Sequence, residues 1–317
     1  MNKLLLLIFA VGFSPTIFAQ NRSLEKIIGE EHSSDVSGAQ EAFFAISQLP
    51  NGTIVAAGYK IPACKPKTEK VEGSYWEKVV KPCPDEIKRM YLVYLDTAAN
   101  ILGEKIWGDT AIDTKIVFVK PLKGGQYAAV SEKGKDDVEE MVLSVLDSSN
   151  AVVIEKTIKI AQKNHVVNVD KVAVNAQNQI VVTVVAVWSG NNRKYMQMTF
   201  DAQLNKLSSK PIQIVKAKID PLVDFRSRGV VSIRENKIAD VKFPDKSSAE
   251  LYGLGNSLEP TADLRIKNAQ GKTKSVKYPE VLGKAMAADK YGNLWIVGMK
   301  TRDNFDENAW IVRYRRK

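Results

Sequence analysis

Cysteine and histidine are nearly missing from this 317-residue chain, with two of each. The two histidines, His32 and His165, stand far apart. No paired Cys/His spacing of a zinc site is present, and a Ser-His-Asp triad has only these two imidazoles to draw on. A Gly-x-Ser-x-Gly nucleophile elbow is also absent. So is any apolar run of membrane-spanning length beyond the first nineteen residues. Together these absences disfavour zinc enzymes, elbow-type hydrolases and helical membrane proteins.

What is there begins with a leader. Lys3, the apolar run Leu4 to Gly12 and Ala19 at a small-residue cleavage point describe a secretory signal peptide over residues 1–19. No cysteine lies near that point, so a lipoprotein anchor is not expected. The mature chain, 20–317, is expected in the periplasm or outside the cell. Cys64 and Cys83 suit that compartment: they flank one short segment, and a disulfide between them closes it, with a metal site as the competing reading. The formal charge is +10, and removing Lys3 with the leader leaves +9. That balance favours an anionic partner, or serves solubility alone. Export argues against nucleic acid and leaves acidic proteins, surface polysaccharide or anionic lipid headgroups.

The body of the chain reads as strands and tight turns. Short polar connections recur at Pro50-Asn51-Gly52, Lys123-Gly124-Gly125, Gln177-Asn178-Gln179, Arg234-Glu235-Asn236 and Tyr291-Gly292-Asn293, with Gly and Asn supplying positive φ. Later in each unit an apolar strand ends in Asp or Asn: Leu95-Asp96, Leu146-Asp147, Phe200-Asp201 and Gly255-Asn256. The recurrence of Asp at these turns marks a structural role, accepting backbone N–H groups. Runs such as Ile180 to Val187 barely alternate, as expected of sheets covered on both faces.

Leu24-Glu25-Lys26-Ile27-Ile28-Gly29 repeats Gly103-Glu104-Lys105-Ile106-Trp107-Gly108, whereas the C-terminal strand Ala309 to Tyr314 has no such successor. The two ends therefore complete one unit. The fold class expected is all-β: a single β-propeller of five four-stranded blades, closed by residues 22 to 29 pairing with the last blade. Blade four is expected from about Gly229 to Asn268.

Asp289-Lys290-Tyr291-Gly292-Asn293-Leu294-Trp295-Ile296-Val297-Gly298 resembles the repeat of bacterial secreted and sensor-type propellers. Asn51 to Gly58, Tyr91 to Asp96 and Glu104 to Gly108 are similar to the same group. The resemblance implies a fold and no activity, since propellers host binding, scaffolding and catalysis alike.

Connections in a propeller alternate between two faces, and those joining second to third strands share a face with those joining blades. That face is expected to carry function. It holds an insertion at 61–88 with Tyr75 and Trp76 among Lys70, Lys78 and other lysines, the segment Trp188 to Arg193, and the segment Lys300 to Asn308 with Arg302, Phe305 and Asp306. Aromatic and basic side chains so placed suit binding of a macromolecule. They suit equally a small inward-folded core for the insertion. His32 and His165 fall in inter-blade connections of the same face.

Asp136-Asp137-Val138-Glu139-Glu140 lacks calcium-loop spacing and reads as a solvated loop. Asn268 to Thr273 superficially matches a phosphate loop, but Ile266 replaces its first glycine. No catalytic residue, metal or cofactor is assigned. The expected function is non-catalytic binding of an envelope or secreted protein, or of an anionic glycan. The alternatives are a propeller hydrolase or lyase acting on cell-surface polysaccharide and a structural part of an outer-membrane assembly.

Overall fold

A computed structural model describes residues 23–28, 40–62, 67–70, 77–81, 87–134, 137–160, 166–188, 192–212, 233–255, 259–301 and 307–316. Strand β1 is Ser23–Ile28. Blade one follows with β2 (Gln40–Gln48) and β3 (Ile54–Ile61). A separate antiparallel hairpin, β4 (Lys67–Lys70) with β5 (Glu77–Lys81), intervenes before β6 (Arg89–Leu95) and β7 (Ile101–Trp107) complete that blade. Blade two is β8 (Thr114–Pro121), β9 (Tyr127–Lys133), β10 (Glu140–Leu146) and β11 (Val152–Lys159). Blade three is β12 (Val166–Val174), β13 (Ile180–Trp188), β14 (Asn192–Phe200) and β15 (Lys206–Ile212). Blade four is β16 (Ile233–Lys242), β17 (Ser248–Gly255), β18 (Pro260–Lys267) and β19 (Thr273–Pro279). Blade five is β20 (Val281–Ala288), β21 (Leu294–Thr301) and β22 (Glu307–Tyr314), with β1 as its outer strand.

The protein is thus a five-bladed β-propeller of antiparallel meanders. The ring closes as the sequence predicts, with Leu24 opposite Arg313 and Ile28 opposite Ala309.

Apolar side chains on both faces of the middle strands make the blades stack. Every residue of β3 is buried. Separate apolar clusters join blade five to blade one, one to two, two to three, and four to five. Trp295 and Trp310, almost fully buried, anchor blade five in two of them. Among the described residues no such cluster joins blades three and four. On the side of blade four opposite its apolar cluster, Glu250 instead takes Lys237 at 2.7 Å and the Tyr252 hydroxyl at 2.9 Å.

The same five-residue turn joins the first two strands of every blade: Leu49–Thr53, Leu122–Gln126, Asn175–Gln179, Phe243–Ser247 and Asp289–Asn293. Its fourth residue has positive φ, as at Gly52 (93°) and Gly292 (80°). In blade four this turn is Phe243–Ser247, and Arg234-Glu235-Asn236 lies inside β16. The misleading signal is Lys246, which adopts φ 65° where the other blades use Gly or Asn.

Blade four's later turn is likewise Asn268–Lys272, whereas Gly255 ends β17. The phosphate-loop look of Asn268 to Thr273 is therefore a hairpin turn. Blade four runs from Ile233 to Pro279, later than the sequence boundaries.

Asp96, Asp147, Asp201 and Asp289 each accept two backbone N–H groups of their own turn, at 2.8–3.0 Å. Hydrogen bonds from the Asn100 amide, the Ser149 hydroxyl and the Asn205 side chain lead the causes that hold Asp96, Asp147 and Asp201 below the usual carboxylate range.

Candidate functional site

The innermost strand of each blade carries one extra residue at mid-strand in its register with the second strand, and β16 has a further shift at Ile233/Asn236. The mid-strand shifts fall at Phe43/Ala45, Ile116/Phe118, Val169/Lys171, Lys237/Ala239 and Gly283/Ala285. The bulged residues are therefore Phe44, Val117, Asp170, Ile238 and Lys284. Each stands four positions before the end of its strand. A bulged residue leaves the ladder and re-aims its side chain. All five line one central cavity of about 380 Å³, so the collar of the channel takes one residue from each blade.

Two glycines make the bulges of blades one and five possible. A Cβ on Gly58 would sit 1.7 Å from the Ala42 carbonyl oxygen, and one on Gly298 would sit 2.2 Å from that of Leu282. The backbone of the inner strand thus crowds against both residues, which face the position before each bulge.

Around Phe44 the collar is basic and aromatic. The Lys284 and Lys115 ammonium groups lie 5.4 and 5.6 Å from its ring centroid. Tyr59 packs beside it at 5.9 Å and takes the Lys88 ammonium at 5.0 Å. Lys60 lies 5.6 Å from the Tyr91 ring and pairs at 3.1 Å with Glu41, which is fully buried. Glu132, also buried, pairs with Lys115 at 3.1 Å and accepts the Val169 N–H at 2.9 Å, tying blade two to blade three. Both carboxylates are therefore neutralised by lysine. Deeper in the channel, burial first and the Lys171 charge second hold Lys120 below the ordinary lysine range.

Glu41, Tyr59, Lys60, Lys88, Lys115 and Glu132 lie near strand ends that open onto the loop-rich face, whereas Lys120 lies beside the β8–β9 turn on the other face. The β3–β6 connection leaves this region and carries the β4–β5 hairpin, in which Lys67 faces Lys81 and Lys70 faces Glu77. Lys78 lies opposite Glu69 in β5. Trp188 ends β13, and Arg193 faces Val187 at the start of β14 on the same side of the ring. Tyr75, Trp76, Arg302, Phe305, Asp306, Cys64, Cys83, His32 and His165 lie outside the described residues.

Among the described residues no group of three or more His, Cys, Asp and Glu side chains is placed to hold a metal ion. Asp137 and Glu139 lie exposed in the blade-two connection between second and third strands, and Glu140 pairs with Lys133 at 3.5 Å.

Reading loops for exposed aromatics missed Phe44, Tyr59, Lys115 and Lys284, which all belong to strands. With the inner strands aligned on their turns, the bulge position holds Phe, Val, Asp, Ile and Lys, but the largely buried position before it varies as widely, with Phe43, Ile116, Val169, Lys237 and Gly283, so residue type alone does not mark the collar.

In sequence, neither a protein-family model nor a curated protein matches this chain. In fold it is similar to a protein of unknown function from Bacteroides caccae, at 7% identity and a TM-score of 0.31 over 84% of this chain and 73% of that one. It is also similar to Trypanosoma rangeli sialidase in complex with sialic acid, at 10% identity and a TM-score of 0.43, covering 92% of this chain and 59% of the sialidase. A third likeness is the AfRom2 CNH domain, at 8% identity and a TM-score of 0.29, covering 92% of this chain and 98% of that one.

Proposed function

We propose that this chain is an exported, non-catalytic β-propeller of the bacterial secreted type that binds an envelope protein through its loop-rich face. The observation that carries the reading is the collar around Phe44, where Lys284 and Lys115 lie at 5.4 and 5.6 Å from the ring. It stands at the root of the inserted hairpin and joins lysines and aromatics in one patch, the composition that dominates binding hot spots. The two buried carboxylates of this region, Glu41 and Glu132, each form an ion pair with a lysine, at 3.1 Å in both cases.

The hairpin adds Lys70 and Lys78 to this face, and a Cys64–Cys83 disulfide fixes it. The antiparallel register that brings Lys67 opposite Lys81 supports that pairing. Alkylation of the unreduced protein labels neither thiol if the bond forms; labelling of both excludes it.

The test of function is capture from envelope extracts with the mature chain and with a form whose residues 61–88 are replaced by a short Gly-Ser link. A protein recovered only by the intact form supports the reading. Equal recovery by two folded forms, or recovery of an acidic glycan in place of protein, contradicts it.

A further inference from the structure

The collar has a composition that a surface patch for a large partner does not need. Phe44, Val117 and Ile238 form three of its five positions, and Phe118 and Met286 line the same cavity. Among the described residues lining it there is no hydroxyl or amide side chain. A sugar ring in this space would give up water around its hydroxyls with no side-chain partner offered beyond Lys120, Asp170 and Lys284, a costly exchange. The volume, about 380 Å³, falls in the range of small-ligand sites, about 300–1,000 Å³, which are mostly apolar with a few converging polar groups.

The charge of the channel selects the polar end of the ligand. Among the described lining residues two cations, Lys120 and Lys284, meet one anion, Asp170, and Lys115, paired with Glu132, stands over the Phe44 ring. Lys115 and Lys284 approach the same Phe44 ring from different blades, β8 and β20, so a group entering over that ring meets two ammonium ions. A compact anion on an apolar body satisfies both halves of the site. A cation meets the surplus positive charge, and a neutral apolar molecule gains nothing from it.

We propose that the channel binds a carboxylate carried on a compact apolar body, either a small organic acid or the C-terminal residue of a protein chain. Lys284 and Lys115 receive the carboxylate, and Phe44, Val117, Phe118 and Ile238 enclose the body. This rests on the reading of the loop-rich face as the binding face, and it gives that face a specific end-on contact. It also separates this channel from glycan recognition, because its walls suit a hydrocarbon or aromatic body.

The experiment is calorimetric titration of the full mature chain with 4-phenylbutyrate, with N-acetylphenylalanine as a mimic of a chain end, with the neutral N-acetylphenylalaninamide and with glucuronate, each to about 10 mM, which covers weak small-ligand binding. At least one of the two apolar acids is expected to bind, the amide about tenfold more weakly or not at all, and glucuronate not at all. Preference for phenylbutyrate identifies a free acid as the source, and preference for N-acetylphenylalanine identifies a chain end. Lys284→Met is expected to weaken the acid about tenfold, and Val117→Trp, which fills the channel without touching charge, to abolish binding; circular dichroism confirms that both fold.

Equal affinity for acid and amide, binding of glucuronate at least as tight as the acids, unchanged affinity in Lys284→Met, or no binding by either acid overturns the proposal. The form lacking 61–88 separates the two claims. Acid binding that persists while the protein partner is recovered equally with and without the hairpin overturns only the partner reading. Hairpin-dependent capture with no acid binding overturns only this inference.

Discussion

Trp310 donates its indole N–H to the Glu25 carboxylate at 2.7 Å, joining residues 285 positions apart in the chain. The bond ties the first described strand to the last and buries the full indole of Trp310 between blades four and five. Glu25→Ala leaves that N–H without its partner at a cost of about 1–3 kcal/mol. Trp310→Ala removes the ring itself, at about 3–5 kcal/mol. Urea unfolding followed by circular dichroism is expected to rank them in that order. Equal stabilities of Glu25→Ala and the natural protein would show that the ring closes without this contact.

The crowding behind the inner strands gives a matched set of glycine variants. Gly58→Ala and Gly298→Ala place a Cβ against a backbone carbonyl and are expected to lose about 3 kcal/mol or more, with displaced bulges at Phe44 and Lys284. Gly103→Ala meets no atom within 4 Å and is expected to stay within about 0.5 kcal/mol of the natural protein. Thermal melts of the three variants check the contrast; similar melts for all three contradict it.

Tyr127, fully buried, donates to Asn150 at 3.2 Å, which leaves Tyr94 as the donor to Tyr127 at 2.9 Å. Burial pushes the Tyr94 hydroxyl up to about 12 and raises Tyr127 as well, where the bond with Tyr94 adds to burial. The folded state holds both phenols neutral. Their contribution is therefore complete below the ordinary tyrosine pKa of about 10 and is lost as pH rises toward 12 and beyond. Absorbance titration is expected to show two tyrosines ionising only with loss of structure. Ionisation of all ten near pH 10 with the fold intact would contradict this.

The ring closure was legible because Glu25-Lys26-Ile27 repeats Glu104-Lys105-Ile106, and a blade short of one strand has a unique completion. The turns were legible wherever Asp or Asn leads and Gly or Asn supplies positive φ. Blade four hid its turn because Pro244-Asp245-Lys246 uses a lysine at φ 65°, stabilised in part by the Asp245 carboxylate accepting from Ser247 and Arg316. Those bonds, the Ser247 hydroxyl first, pull the Asp245 pKa down to about 2.

The collar was illegible for a different reason. A bulge shifts register by one residue and turns Phe44 from an apparent core position into a channel position, which alternation alone cannot reveal. Lys115 and Lys284 likewise read as ordinary strand lysines until five strands from five blades converge on one axis.

The most direct measurement of the central claim is envelope capture with the natural protein, Lys284→Glu and Lys206→Glu. The first variant reverses charge inside the collar, and the second does so on the exposed outer strand β15, so both change net charge equally. The account predicts that recovery of the partner falls at least about tenfold with Lys284→Glu and stays near the natural level with Lys206→Glu. Equal losses, or full recovery by a folded Lys284→Glu protein, would mean that the channel mouth is not where the partner is held.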